Sequence, residues 1–234
     1  MMHFDCLPPI ASCLDRHAPL RYIWDDTRAS ADYRYDPDWV LQAAAGMSTR
    51  ANMVMCVGLY EWIMWRFDAF IDDPVPRQVL EAAWCATVDP SRIALFELAR
   101  REWLGPVRGP LWCAVTWLRP AVASGDDFPF EIEDALQYLT RLAVHVCPWR
   151  DPFEQWLRDV LTRLTARFPF VPDDPFDDLF SEDTVRRRGT LIARSVLDTT
   201  RAYDIGEGAR WSAALLRQAN AASNPFLEPV AQTP

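Results

Sequence analysis

Glu61, Asp68 and Asp72 follow one another at intervals of seven and four residues, which puts their carboxylates on one face of a helix. Two helix-borne carboxylates four residues apart can hold a hard cation such as magnesium when a second acidic helix faces them. Glu131, Glu133 and Asp134 are the acids available for that second helix. The paired Glu-x-x-Glu spacing of a helical dimetal site is missing, however. Asp68 and Asp72 are therefore expected on a solvated face, with Asp73 capping the next helix. A metal-dependent helical hydrolase is kept only as a distant alternative.

Other chemistries find less support. His3, His17 and His145 have no ligand spacing, and His145 is expected on the polar side of its helix with Arg141 and Asp134. No nucleophile sits in a Gly-x-Ser-x-Gly context, and the glycines form no phosphate-cradling loop. Cys6, Cys13, Cys56, Cys85, Cys113 and Cys147 are widely spread without a Cys-x-x-Cys pair. The last four fall in apolar helical stretches, so they are expected as reduced, buried thiols in a reducing cytoplasm. No catalytic residue, metal or cofactor is assigned, and the chain is not expected to be an enzyme.

Charge is more informative. All 24 basic residues are arginine, against 33 carboxylates, giving a net charge of -9. Arginine never gives up its charge, and its flat fork of donors fits a carboxylate, so fixed internal pairs are expected. The acidic balance argues against direct nucleic-acid binding and against adsorption to an anionic membrane. Two clusters could meet a basic partner. One is Asp173, Asp174, Asp177 and Asp178, interleaved with Phe176 and Phe180. The other begins at Asp126 and Asp127. Aromatic anchors flanked by carboxylates suit a protein surface rich in arginine or lysine. The first cluster can equally fold back on Arg186, Arg187 and Arg188.

These groups need a scaffold, and the sequence reads as all-α. Asp-Pro, a good helix start, recurs at Asp36, Asp73, Asp89 and Asp151, the last with Glu154 placed to complete a capping box. Helices are expected at 37–46, 49–71, 76–88, 90–104, 110–119, 130–147, 152–168, 182–203 and 207–219. Stripes such as Ile132, Leu136, Leu139, Ala143 and Val146 supply the buried faces. Short connections up to residue 168 predict antiparallel neighbours in an irregular bundle of about eight or nine helices. Eleven tryptophans furnish bulky core residues, with Trp149 expected to be exposed. The divisions are an irregular N-terminal segment (1–30), one helical domain (31–222) with an acidic, proline-rich loop at 169–181, and a C-terminal tail (223–234).

The N-terminus does not read as a signal peptide, and Met53 to Ile71 is interrupted by Glu61, Arg66 and Asp68. A cytoplasmic protein is expected. The reading that follows is an acidic binding protein that occludes a basic or nucleic-acid-binding protein partner, most concretely a bacterial immunity protein against a toxin or effector. The alternative is a helical adaptor or chaperone of a secretion system.

Overall fold

The computed structural model describes residues 4–13, 18–94, 97–172 and 187–229. Among these lie eight α-helices: α1 (Pro8–Cys13), α2 (Asp38–Ala44), α3 (Thr49–Phe67), α4 (Val75–Val88), α5 (Gly105–Ser124), α6 (Pro129–Val146), α7 (Arg150–Arg167) and α8 (Glu207–Gln218). No strand occurs among the described residues, only isolated bridges at Met47–Pro169 and Ile93–Leu227. The expected all-α bundle is what forms.

Helix α3 is the axis. It is apolar all round, and nearly every residue from Arg50 to Phe67 is buried, which is the pattern of a central helix. Ser48 starts it by accepting a hydrogen bond from the Ala51 amide. Helix α4 returns antiparallel, its Trp84 indole donating to Glu61 at 2.8 Å and its Thr87 carbonyl accepting from Arg50 at 2.8 Å. Helices α5 and α6 form a second antiparallel pair, with Trp117 stacked on Tyr138 at 3.9 Å. Gly125 makes their turn tight: a Cβ there would lie 2.3 Å from the Ala121 carbonyl and 2.6 Å from Ile132.

Helix α6 runs parallel to α3. Cys56 faces the Ile132 carbonyl near one end, and Arg66 donates to the Val146 carbonyl at the other. Despite the three-residue link after α6, α7 does not pair with it in the expected antiparallel manner. It packs on α2 and α3 instead, with Phe153 and Trp156 against Trp62 at 5.2 and 5.3 Å.

Among the described residues, the helices expected at 90–104 and 182–203 do not run as expected. The described residues of 90–104 hold only the 3-10 turns Pro90–Arg92 and Arg100–Glu102. Between them, Ala94 donates to the Phe226 carbonyl and Glu228 to that of Arg92. Pairing with the C-terminal stretch takes the backbone groups that a helix would have used. Of 182–203, the described part is helical at 187–188 and otherwise mostly irregular, with a 3-10 turn at Arg194–Leu197. Its carbonyls at Val196, Asp198 and Arg201 accept from the single guanidinium of Arg163.

Helix α5 overruns its expected 110–119 span although it contains Pro110 and Pro120. Pro110 deprives the Pro106 carbonyl of its helical donor, and the Tyr22 hydroxyl fills that role. The capping box expected at Asp151 does not form, because α7 begins two residues earlier and Glu154 pairs with Arg150 at 2.7 Å.

The N-terminal segment runs over the bundle. Phe4, Leu7 and Ile10 are buried, while Arg66 holds the Ala18 and Pro19 carbonyls. The C-terminal stretch is equally integrated through 224–228. Asn224 is fully buried and donates to the Gln78 carbonyl and to Glu81 at 2.8 Å.

Candidate binding cleft

The acids with metal-site spacing do not converge. Glu61 is fully buried and turned inward, gripped by Arg194 through both oxygens at 2.8 and 2.6 Å. Asp68 is tied to Arg77 at 2.5 Å, and Asp73 caps the Val75 amide while pairing with Arg108 at 3.1 Å. Because α3 and α6 are parallel, Glu131 and Glu133 lie level with Cys56, twelve residues before Asp68. At 1.5 Å per residue that is roughly 18 Å along the axis, far beyond the reach of one cation. Among the described residues no three metal-ligating side chains come together.

His145 is not on a free polar face. Its Nε2 lies 2.8 Å from the Ile23 carbonyl oxygen, and its ring packs between Tyr22 and Tyr33 at 5.4 and 5.1 Å. Trp149 is half-buried, with the Arg66 guanidinium over its ring, rather than exposed. All six cysteines are free, and Cys56, Cys85, Cys113 and Cys147 are buried.

A concave feature with mixed apolar and polar walls lies elsewhere, between α2 and the first turns of α6. It is a cleft of about 470 Å³. Leu41, Ala44, Met47, Ile132, Leu136 and Phe170 give it apolar walls, while Asn52, Asp126, Glu133 and Arg187 supply polar groups. Local structure explains how distant stretches meet here. The α2–α3 turn pairs with the chain leaving α7: Ser48 donates to the Phe168 carbonyl at 2.9 Å and Phe170 to that of Gly46 at 3.0 Å. That pairing sets Phe170 at the cleft. On the other side, Gly189 has φ +78° and sits so close to Ser48 that a Cβ would approach it within 2.8 Å. Arg50 holds the Gly189 carbonyl, so 187–189 is pinned to the start of α3.

Of the sequence-selected binding residues, Asp126 and Asp127 fall here. Asp126 pairs with Arg188 at 3.2 Å, and each side chain is 17% exposed. Arg188 thus takes an acid from the α5–α6 turn. Burial pushes the Asp126 carboxyl above its ordinary value, against the pull of Arg188 and Arg50. Burial and the neighbouring Arg188 push Arg50 down to about 10, with Asp126 opposing. Asp127 is exposed beside this pair. Asp173, Asp174, Phe176, Asp177, Asp178 and Phe180 lie outside the described residues, as does Arg186; their flanking residues Phe170 and Arg187 both line the cleft.

The surroundings complete a distinct surface. Phe128, Phe130, Phe170 and Val171 are 50, 57, 45 and 40% exposed, unusual for side chains of that size. Glu133 and Asp134 are exposed on the same first turns of α6. Sequence reasoning missed the cleft itself, because Leu41, Ala44, Met47 and Leu136 read as ordinary helix faces. The exposed Phe128-Pro129-Phe130 run at the start of α6 was the signal available.

No protein-family model matches this chain, and neither does any curated protein or solved structure. Among the described residues no helix is long and apolar enough to cross a membrane.

Proposed function

We propose that this chain is an acidic binding protein that occludes a basic surface of a protein partner, in the manner of an immunity protein neutralising a bacterial toxin or effector. The observation that carries the reading is the cleft. Apolar walls and half-exposed phenylalanines stand beside the carboxylates of Asp127, Glu133 and Asp134. Bulky apolar anchors with a charged surround are the pattern of a protein–protein hot spot, in which charge sets partner choice and encounter rate. The sequence between Pro172 and Arg187 adds six carboxylates and a single arginine, and Phe170 before it and Arg187 after it line the cleft. A net charge of -9 favours a cationic partner still further.

Affinity capture from the native cytosol tests the reading, repeated with Asp173, Asp174, Asp177 and Asp178 all changed to asparagine. The wild-type chain should retain a basic protein whose toxicity to growing cells is relieved by co-expression of this chain. Recovery should fall for the asparagine variant and with added salt, since exposed charges are screened over about 10 Å at 0.1 M. Equal recovery by both forms at all salt concentrations would remove the electrostatic reading.

A further inference from the structure

The geometry points to the α2–α6 cleft as an anchor pocket for one aromatic side chain of the partner polypeptide with an arginine beside it. This deepens the function proposed above and rests on it. A volume of about 470 Å³ is in the range of built ligand pockets and admits a tryptophan together with part of a neighbouring residue. Leu41, Met47, Ile132 and Leu136 supply the apolar contact that an aromatic ring needs.

The polar groups narrow the choice. Asn52 lines the cleft, and its amide nitrogen is used by the Ala44 and Met47 carbonyls at 3.0 and 3.5 Å. Its Oδ1 is enclosed and accepts no hydrogen bond within the protein. An enclosed acceptor without a donor is unfavourable, so an N–H that reaches it after a small turn of the Asn52 side chain gains more here than on open surface. Indole and guanidinium groups carry such donors; phenylalanine and leucine do not.

Charge decides the neighbour. Glu133 stands exposed on the α6 side of the opening, with Asp127 and Asp134 near it, whereas Arg187 occupies the other side. A cation adjacent to the anchor finds the α6 carboxylates. A second copy of this chain would bring acid to acid, and an anionic segment would meet the same repulsion. Aromatic and arginine residues are also the side chains that most often dominate interface energetics.

The test uses the full-length protein carrying ¹³C-methyl methionine, titrated with the capped dipeptide Trp-Arg and, in parallel, Trp-Glu. The Met47→Leu variant identifies the Met47 signal. Met47 should shift saturably with Trp-Arg, while Met53 and Met55, inside α3, stay still. Trp-Glu should bind about tenfold more weakly or worse. Ala45→Trp, at an exposed cleft position, should abolish the shift without altering the melting temperature, and Glu133→Gln should weaken binding several-fold. Absence of a saturable Met47 shift, equal binding of the two dipeptides, or full binding by Ala45→Trp would each overturn the pocket. If those arms fail while charge-dependent capture of a basic partner persists, only the anchor is lost. If the dipeptide binds as described but capture ignores salt and the asparagine substitutions, the occlusion reading fails instead.

Discussion

Glu61 and Arg194 bring a full charge pair into the interior, and the pair is held by more than attraction. Trp84 donates to Glu61, while Arg194 also donates to the Asp5 carbonyl at 2.7 Å and lies over the Phe4 ring at 5.1 Å. One guanidinium therefore joins the N-terminal segment, α3 and the chain after Gly189. Removing it leaves a buried carboxylate short of its counter-ion, which costs about 3–5 kcal/mol. Arg194→Met is expected to lower unfolding stability by that order in urea titrations. Arg194→Lys should recover only part, because an ammonium cannot bind both oxygens in the fork geometry. A loss under about 1 kcal/mol for the methionine variant would show that the pair is dispensable. Elsewhere arginines act chiefly on backbone carbonyls, as Arg163 and Arg66 do. A lysine has no equivalent fork.

The buried thiols and phenols bear on pH. Burial pushes Cys113 up to about 11 and Cys85 and Cys147 up to about 12, and it also raises Tyr22, Tyr33 and Tyr60. The unfolded chain loses these protons first, so above its thiol range it binds fewer protons than the folded chain. Stability then falls with rising pH. It should be fully present at neutral pH and decline from about pH 9 upward, read as a shift in the urea midpoint. A flat midpoint through about pH 10.5 would contradict the burial of these groups.

At the scale of elements, α5 is the informative case. The interior Pro120 leaves the Thr116 carbonyl without its helical donor, and proline inside a helix is less favourable than alanine by about 3 kcal/mol. Pro120 is half-buried, so alanine gives up some packing in exchange for a restored backbone hydrogen bond. Pro120→Ala is expected to stabilise the fold by about 1 kcal/mol or more in equilibrium denaturation. A destabilised variant would mean that the ring's packing outweighs the backbone. Pro110→Ala should gain less, because the Tyr22 hydroxyl already serves the freed Pro106 carbonyl. The stretch 90–104 follows a related logic. Residues 90–104 begin with a good Asp-Pro start, and Asp89 does accept from the Ser91 amide at 3.0 Å. The start is honoured for a single turn, after which pairing with 226–228 wins.

For the whole molecule, the described stretches 4–10 and 224–228 clasp the bundle. Asn224, Phe226 and Leu227 are buried against α4 and the stretch after it. Truncation after Ser223 removes the Asn224 amide from the buried Glu81 and uncovers Ile93. Two large apolar side chains are lost together with hydrogen bonds to a buried acid, so stability should fall by several kcal/mol, about 2 for each side chain. Thermal unfolding of the truncated chain should begin well below that of the full chain. An unchanged melting temperature would show that the C-terminal stretch merely rests on the surface.

The sequence by itself determined the helical class, a long apolar helix starting at 49 and the stripes of α6 and α7, because 3.6-residue periodicity and capping act within a few residues of chain. It also determined the charge character of the surface and the burial of four thiols in apolar runs. Tertiary structure alone decided that Glu61 turns inward to Arg194, that α3 and α6 lie parallel so the acidic groups stay apart, and that the described residues of 90–104 and 189–203 give up helix for long-range pairing. The α2–α6 cleft belongs to the same class. Its walls come from α2, α3, α6 and the two stretches on either side of 173–186, and only the packing of separated segments brings them to one place.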